Sequence, residues 1–464
     1  MSRILNLLFF SFLATFSFAQ FNTKTWDIRD FGAVGDSKTL NTVAIQAAID
    51  TCSKAGGGTV LLKDGTYLSG TILLKNKVKL LIEKEAKLLG SPNPADYKDI
   101  DPFVDATGQR RGKCLIGALE VEDISIEGQG IIDGQGKQFL QQNLLKTMKQ
   151  LELDTTKIKN YASNRPFLLR FVRSSRISLK NIHLRQSAAW ACHFYQCQNI
   201  LIDSLNIYNH AHRNNDGIDL DSSSDAVIKN CTIDAGDDAL CFKTTSPMPT
   251  ENIEVSFCKL KSDWGAIKFG TESMGDFRNI KITDCHLHDT RGGGIKVLSV
   301  DGANISDITL DRIKMDNVDM PIFIRLGERL RTYRAAPKQV VGSIDSLRIR
   351  NVHASSRSLE NSRVQPPSGI LITGTPNHKI GYLSLENISL QLAGGGKVEH
   401  RNKVVAEDEK RYPEFSLFEV LPASTLYARH IKSLNISNLN SSFFEEDERT
   451  ETLYLDVEEI KIDK

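Results

Sequence analysis

Short runs in which apolar and polar residues alternate recur along most of the chain. Six nine-residue runs superpose, and each begins 23 to 28 residues after the last, at Arg176, Asn199, Asp225, Asn252, Asn279 and Asp307. Weaker copies follow at Leu347, Leu383 and Leu434. Repeats of this length with β character and no intervening helix indicate a solenoid, since a β-propeller blade needs about 40–45 residues. The pattern predicts an all-β parallel β-helix in which each repeat is one coil of short strands.

A helical pattern precedes the β runs. Between residues 41 and 55 the apolar residues recur at helical spacing and share one face, which consists of Ile45, Ala48, Ile49 and Cys52. Glycines at 56–58 end the segment, as glycine commonly does after a helix. Because the first coil of a solenoid would expose an unpaired edge, we expect a short N-terminal capping helix here.

The rest of the chain is organised as one repeat array. We therefore expect residues 20–464 to form a single parallel β-helix domain, although length alone would suggest two or three domains. Segments near 138–164, 330–345 and 393–430 interrupt the repeat, and we expect them to be excursions over the surface.

Residues 1–19 have the pattern of a secretory signal peptide. Arg3 is followed by an apolar run from 4 to 18, and a small-x-small cleavage site lies at 17–19, before Gln20. A membrane anchor is the alternative, but the run is shorter than the roughly 20 apolar residues needed to span a bilayer. The pattern predicts a secreted or periplasmic protein with no membrane span in the mature chain.

Charge and cysteine content narrow the function classes. The formal net charge is +1, and no basic run is interleaved with aromatic residues, so no nucleic-acid partner is expected. Cys231, Cys258 and Cys285 are spaced 27 residues apart, which favours a buried column of thiols over a metal site, where tighter pairs are usual. Cys192 and Cys197 are close enough in sequence to pair, and the sequence leaves that pairing open.

Charged residues mark four equivalent runs. These runs start at Asp216, Asp238, Gly265 and Gly293, and in the last two the fourth residue is a lysine, Lys268 or Lys296. Alternation places Asp219, Cys241, Lys268 and Lys296 on the outer face of the coils. It also places Asp221 beside Lys243, from which we expect an ion pair across one coil.

Three carboxylates precede these strands, at turns where alternation breaks: Asp216, Asp237 and Asp238. A carboxylate crowded by others acquires a raised pKa. A protonated carboxyl beside an ionised one is the pair that glycoside hydrolysis requires. Each aspartate has an ordinary alternative role in its turn, but recurrence on successive coils favours a reaction site.

Other residues near this point are candidate substrate contacts. Asn214 and His212 lie just before Asp216, and Trp264 lies on the next coil, where it could stack on a sugar. Lys268 and Lys296 could bind an anionic sugar. Alternatively, Asn214 and His212 could simply lie on a surface loop, Trp264 could have a packing role, and the two lysines could be solvated surface charges.

At these residues the chain resembles the polygalacturonase-type glycoside hydrolases, pectin-degrading enzymes built on a right-handed parallel β-helix. The stretch Asn214-Asn215-Asp216-Gly217-Ile218-Asp219 is similar to the family's Asn-Thr-Asp-Gly-Ile-Asp motif, and Gly236-Asp237-Asp238 matches its Gly-Asp-Asp. The resemblance covers roughly residues 25–330. It implies hydrolysis with inversion, with Asp237 as general acid and with Asp216 and Asp238 activating water. It also implies an acidic plant-type polysaccharide or oligosaccharide as substrate, with no metal or other cofactor.

The chain departs from the family pattern at two basic positions. The family's Gly-His-Gly falls at Asp263-Trp264-Gly265, and its Arg-Ile-Lys falls at Gly294-Ile295-Lys296, so one histidine and one arginine are missing. We expect residues 270–273 or the stretch from Arg325 to Arg334 to replace them. A branched pectin, a rhamnogalacturonan-type linkage, or exo-action on short oligosaccharides all fit this change.

Two other function classes fit the same residues. A polysaccharide lyase would use the acidic cluster to bind Ca²⁺ and Lys268 or Lys296 as the base. A non-catalytic carbohydrate-binding solenoid would use the groove for recognition alone.

Overall fold

The structure, a computed structural model, describes residues 22–463, so the predicted signal peptide lies outside the described residues. Within that range, no helix combines the length and the apolar character needed to cross a membrane. Strands dominate the described chain, and all of them belong to one hydrogen-bonded network. In chain order they are β1 Thr25–Asp27, β2 Asp36–Leu40, β3 Gly58–Leu62, β4 Gly65–Ser69, β5 Ile72–Leu73, β6 Val78–Ile82, β7 Ala86–Gly90, β8 Asp99–Val104, β9 Arg110–Leu119, β10 Glu122–Glu127, β11 Ile131–Asp133, β12 Phe167–Val172, β13 Ser175–Lys180, β14 His183–Arg185, β15 Cys192–Tyr195, β16 Gln198–Asp203, β17 Asn206–Asn209, β18 Ile218–Asp221, β19 Ser224–Lys229, β20 Thr232–Ala235, β21 Leu240–Thr244, β22 Thr250–Ser256, β23 Lys259–Ser262, β24 Ile267–Ser273, β25 Phe277–Thr290, β26 Ile295–Ser299, β27 Asn304–Val318, β28 Ile322–Leu326, β29 Ser343–Ile344, β30 Leu347–Ser356, β31 Ile370–Thr373, β32 Ile380–Leu392, β33 Ala423–Phe443 and β34 Thr450–Asp463.

The strands stack in parallel columns, one strand from each coil. One of them, here called the site column, runs through β9, β12, β15, β18, β21, β24, β26, β28, β31 and the first part of β33. Except for the β8–β9 hairpin, the strand pairs are parallel. The predicted parallel β-helix is therefore confirmed.

The core is built by the inward-facing residues of each coil. In the site column, Ile218, Leu240, Ile267 and Ile295 are in register and fully buried. One step further along, the rings of Phe242 and Phe269 stack with centroids 4.7 Å apart. Equivalent positions thus carry similar apolar side chains, which is why the repeat is visible in the sequence.

Turn residues with left-handed backbone angles join the coils. Asp225, Asn252 and Asn279 have φ values between 53° and 57°. Asn279 donates a hydrogen bond to Asn252 (2.7 Å), and Asn252 donates one to Asp225 (3.1 Å). Asn and Asp tolerate this conformation better than other residues with a side chain, and here they also form a ladder along the molecule.

The cysteines are buried thiols. All eight, including Cys192 and Cys197, are free and buried. The prediction of small buried thiols at Cys231, Cys258 and Cys285 is confirmed.

The predicted helix near the N-terminus is confirmed. It is α1, Thr42–Lys54, and it buries the predicted face of Ile45, Ala48, Ile49 and Cys52. It packs on the first coils through β3 and β5. Two more helices, α2 Gln141–Gln150 and α3 Ile158–Ser163, occupy the segment that interrupts the repeat at 138–164.

Three insertions lie beside the site column. The first spans 91–113 and contains the antiparallel hairpin that β8 forms with the start of β9, the second spans 327–342, and the third spans 393–422. Residues 423–430, which the sequence placed in the third excursion, instead begin β33 and complete the site column, because their side chains continue its register.

Candidate active site

Three aspartates converge at the turns that lead into the site column. Asp216 precedes β18, and Asp237 and Asp238 precede β21 on the next coil. Parallel register between β18 and β21 sets Asp216 beside Asp238, and one oxygen from each of the three carboxylates lies within 4.8 Å of the others. Asp216 and Asp238 are buried, whereas Asp237 is half-buried. The convergence expected from the repeat is present.

Two buried lysines face these carboxylates. Lys268 Nζ lies 2.7 Å from Asp238 Oδ2. Lys243 Nζ lies 3.6 Å from Asp216 Oδ2 and 3.5 Å from Glu272 Oε2. The ammonium groups offset the concentrated negative charge, which would otherwise be costly to bury.

The expected ion pair between Asp221 and Lys243 is wrong. Lys243 reaches back toward the turn and lies 3.4 Å from Asp219 Oδ1. Asp221 accepts a hydrogen bond from the Thr245 hydroxyl (2.6 Å) and contacts His193 Nε2 at 3.2 Å. The side chain of Lys243 therefore lies among Asp216, Asp219 and Glu272, where negative charge is most concentrated, and not beside Asp221, its partner in strand register.

The carboxyl groups differ in proton affinity. Burial and the neighbouring Asp238 raise the pKa of Asp237 to about 6. Burial, Asp219 and Asp237 raise the pKa of Asp216 well above its usual range. Burial also acts on Asp238, but Lys268, Lys296 and Lys243 outweigh it and lower that pKa. A protonated carboxyl therefore lies next to an ionised one, as general acid–base catalysis requires.

These groups line a small open pocket of about 40 Å³. The hairpin insertion contributes one wall, and Tyr412 from the third insertion contributes another, with its hydroxyl 3.0 Å from that of Thr271. The lining residues are Asp105, Ala106, Thr107, Trp190, Asn214, Asp216, Asp237, Asp238, Lys243, Lys268, Thr271, Glu272 and Tyr412. Segments outside the repeat thus form walls of the groove beside the carboxylates.

The other expected contacts lie in different places. Asn214 lines the pocket and its amide is 3.4 Å from Asp237 Oδ2. His212 is outside the lining, and its Nδ1 accepts the Arg213 N–H (2.9 Å). Trp264 is also outside the lining, with the Arg363 guanidinium 3.9 Å from the centre of its ring.

Two expected basic contacts have protein partners. Lys296 is fully buried and its Nζ lies 2.7 Å from Glu414 Oε2, a residue of the third insertion. Arg325 is buried away from the pocket, where it donates hydrogen bonds to Thr373, to the Gly374 carbonyl and to the Glu407 carbonyl. Arg325 therefore fastens the third insertion to the coils.

Several pocket residues escaped the sequence analysis. Trp190 occupies the position of Asp216 one coil earlier, since Cys192 pairs in register with Ile218, and extending the repeat alignment backwards would have found it. Its ring lies 4.6 Å from Lys243 Nζ. Thr271 and Glu272, by contrast, belong to the stretch 270–273, which the sequence had already indicated as a source of replacement contacts. Asp105 and Tyr412 lie in insertions and carry no repeat signal.

The same carboxylates are the set that could hold a cation. Within residues 22–463, Asp216, Asp237 and Asp238 are the one group of three metal-type side chains whose ligand atoms cluster. Oxygen ligands suit Ca²⁺ or Mg²⁺. Lys243 and Lys268 already provide positive charge to this cluster, which weakens its attraction for a second cation.

Comparison with known proteins decides the family. Residues 58–403 match the model of the glycosyl hydrolases family 28. The chain belongs to this family. A probable polygalacturonase of Vitis vinifera is 26% identical over 388 residues, which cover 79% of this chain and 74% of the relative. The resemblance to polygalacturonases is thereby confirmed, and the protein is an O-glycosyl hydrolase.

Solved structures agree on the fold. An exopolygalacturonase from Thermotoga maritima superposes with a TM-score of 0.65 at 21% identity and covers 81% of this chain and 88% of its own. A family 28 exopolygalacturonase from Yersinia enterocolitica superposes with a TM-score of 0.70 at 19% identity. The match covers 95% of this chain and 78% of the Yersinia chain. At these identities the likeness establishes the parallel β-helix alone.

Proposed function

We propose that this family 28 enzyme is an exported hydrolase that cleaves α-galacturonosidic-type linkages in pectic chains with inversion. The observation that carries the proposal is the pairing of a half-buried Asp237, whose pKa is raised to about 6, with an ionised Asp238 held by Lys268. Asp237 gives its proton to the glycosidic oxygen, and the leaving sugar departs. Water then becomes bonded to the anomeric carbon and loses its proton to a carboxylate of the site.

Water, rather than Asp238, is the proposed nucleophile. The carboxylate oxygens lie within 4.8 Å, shorter than the roughly 6.5–9.5 Å usual for a two-carboxylate inverting site. However, both oxygens of Asp238 are engaged, one by the Gly265 N–H (3.2 Å) and one by Lys268 (2.7 Å), which makes the carboxylate a poorer nucleophile. Asp216 Oδ1 has no hydrogen-bond partner among the described residues, so it can accept a hydrogen bond from water.

We propose exo-action on an acidic substrate. The pocket is walled by insertions on two sides, and Arg331 of the second insertion donates a hydrogen bond to the Ala106 carbonyl of the first. A closed end suits attack on a chain terminus better than attack in mid-chain. The two structural neighbours named above are themselves described as exopolygalacturonases.

Product analysis on a panel of pectic substrates tests the proposal. Polygalacturonate, its short oligomers, methyl-esterified pectin and rhamnogalacturonan are incubated with the enzyme, and products are separated and identified by mass. Release of saturated monomers or dimers from chain ends is expected, unchanged by EDTA. NMR of the first product should show the inverted anomer.

Other outcomes would overturn specific parts of the proposal. Absorbance near 235 nm together with loss of activity in EDTA would identify a Ca²⁺-dependent lyase. Initial formation of the retained anomer would make a carboxylate the nucleophile. Binding of oligogalacturonides with no new reducing ends from any substrate would leave a carbohydrate-binding solenoid.

A further inference from the structure

A second cavity lies further along the same groove and is rich in arginine. It is open to solvent, has a volume of about 500 Å³, and is lined by Arg291, Asp319, Arg357, Glu360, Asn361, Ser362 and Arg363. Its three guanidinium groups come from two separate parts of the chain. Arg291 lies in the turn before β26, whereas Arg357 and Arg363 lie in the loop between β30 and β31.

The cavity is in line with the catalytic carboxylates. Register places Gly293 two coils beyond Asp238, so the turn that holds Arg291 is about 10 Å away at roughly 4.8 Å per coil. Trp264 lies between the two sites. Its neighbour Gly265 donates its N–H to Asp238, and its ring stacks under Arg363.

The loop that carries two of the arginines is held in a defined shape. Arg357 Nε donates to the Asn361 carbonyl (3.1 Å), and the Ser362 hydroxyl donates to the Ser358 carbonyl (3.0 Å). The Arg363 N–H donates to Asp319 Oδ2 (2.7 Å). The loop that carries Arg357 and Arg363 is therefore ordered before any ligand arrives, which lowers the entropic cost of binding.

Charge in the cavity favours an anion with hydroxyl groups. Within residues 22–463, neither Arg291 nor Arg363 has a carboxylate within ion-pair distance of its side chain. The acidic members are Glu360, which accepts a hydrogen bond from Asn361 (3.3 Å), and Asp319. Asp319 is 1% exposed, and its Oδ1 has no hydrogen-bond partner among the described residues. A sugar hydroxyl would satisfy that oxygen, while the guanidinium groups would bind a carboxylate.

We propose that Arg291, Arg357 and Arg363, with Asp319, form a subsite for the carboxylate of a uronic acid residue two or more sugars from the cleaved bond. This inference rests on the proposed hydrolysis of pectic chains. The subsite supplies positive charge that the groove otherwise lacks near Trp264, because Lys296 is neutralised by Glu414. With this subsite, the affinity for a pectic substrate depends on the length of the substrate chain and on whether its carboxylates are free.

Kinetics on galacturonate oligomers of two to five sugars test the subsite. Arg291→Ala and Arg363→Ala are compared with Arg348→Ala, an exposed arginine on β30 outside the cavity. For the longest oligomers, each cavity variant should raise KM about 10-fold with kcat unchanged, as expected for loss of a charge-assisted hydrogen bond. The dimer, methyl-esterified oligomers and the Arg348 variant should show no change.

Binding separates failure of the subsite from failure of the proposed function. Calorimetry with pentagalacturonate in the Asp237→Asn background should show the same 10-fold loss for each arginine variant. If pectic chains are bound with this dependence but never cleaved, the subsite stands and the hydrolysis proposal fails. If they are cleaved with equal KM by the arginine variants and wild type, at every oligomer length, the subsite is refuted.

Discussion

At the scale of single residues, Asp237 is the group on which the proposed chemistry depends. Asp237→Asn keeps the shape of the side chain and removes the proton donor. We expect kcat to fall about 1,000-fold, within the range usual for loss of a general acid. The thermal midpoint should hardly change, because the native carboxyl is already largely protonated below its pKa of about 6.

Steady-state kinetics and thermal unfolding of the same preparation check this prediction. Asp234→Asn serves as a matched control, since Asp234 is a half-buried carboxylate on the same coil that pairs with Lys261 outside the pocket. The control should retain wild-type kcat. Retention of wild-type turnover by Asp237→Asn would remove Asp237 from the role of acid.

The same residues predict the pH dependence of kcat/KM. Asp237 must be protonated, so activity should fall as the pH rises through about 6. Asp238 must be ionised, so activity should also fall at low pH, below the ordinary range of an aspartate because its pKa is lowered. Lys268→Met removes the nearest positive charge, and the acidic limb should move to higher pH.

A pH–rate profile of wild type and Lys268→Met decides this point. An acidic limb that stays in place in the variant would mean that Asp238 does not control it. A basic limb well above pH 8 in the wild type would assign the acid to a group other than Asp237.

Residue type and register were enough to predict that the three aspartates converge, whereas the partners of the long side chains could not be predicted. Asp216 and Asp238 stand at equivalent positions of adjacent coils, and parallel stacking makes such positions neighbours. Alternation gives the face on which Lys243 lies but not the partner it selects. That choice depends on the charge of Asp216, Asp219 and Glu272 together, which no single pair of coils reveals.

At the scale of elements, the third insertion turns an open groove into a pocket. It sets Glu414 against Lys296, and both side chains are at least 95% buried. Glu414→Gln leaves a buried ammonium without its counter-charge, which should destabilise the protein by about 3 kcal/mol. Lys296→Met combined with Glu414→Leu removes both charges and should cost much less.

Guanidinium unfolding of the three proteins, followed by tryptophan fluorescence, measures the difference. Equal stability of Glu414→Gln and wild type would show that Lys296 is solvated or paired elsewhere. Equal loss in the single and double variants would show that packing, rather than charge, holds the insertion.

The elements that the sequence predicted are those that repeat. The strands of the site column and α1 follow from periodicity alone. The insertions have no internal period, so their contacts had to be seen: Tyr412 with Thr271, and Glu414 with Lys296. Arg325 was expected in the substrate site because the sequence does not show which residues the third insertion contacts. It instead donates a hydrogen bond to the backbone of that insertion.

At the scale of the whole molecule, stability should vary along the axis of the solenoid. Each coil contacts only its neighbours, so opening is easiest where one neighbour is missing. In the central coils every residue of β21 is buried between β18 and β24. Among the described strands β34 pairs with β33 alone, and its Ile460 and Ile462 are 42% and 54% exposed.

Hydrogen exchange followed by mass spectrometry should therefore show a gradient. Peptides from 450–463 should exchange first, those covering β30 to β33 next, and those covering β15 to β26 last. The three aspartates proposed to be catalytic lie on turns within this slowest region, so their relative positions should stay fixed while the outer coils open. Asp237→Asn should leave the gradient unchanged, because it alters a proton and no packing contact. Protection of 450–463 equal to that of β21 would mean that the last described coil is covered, and it would contradict a stability set by nearest neighbours alone.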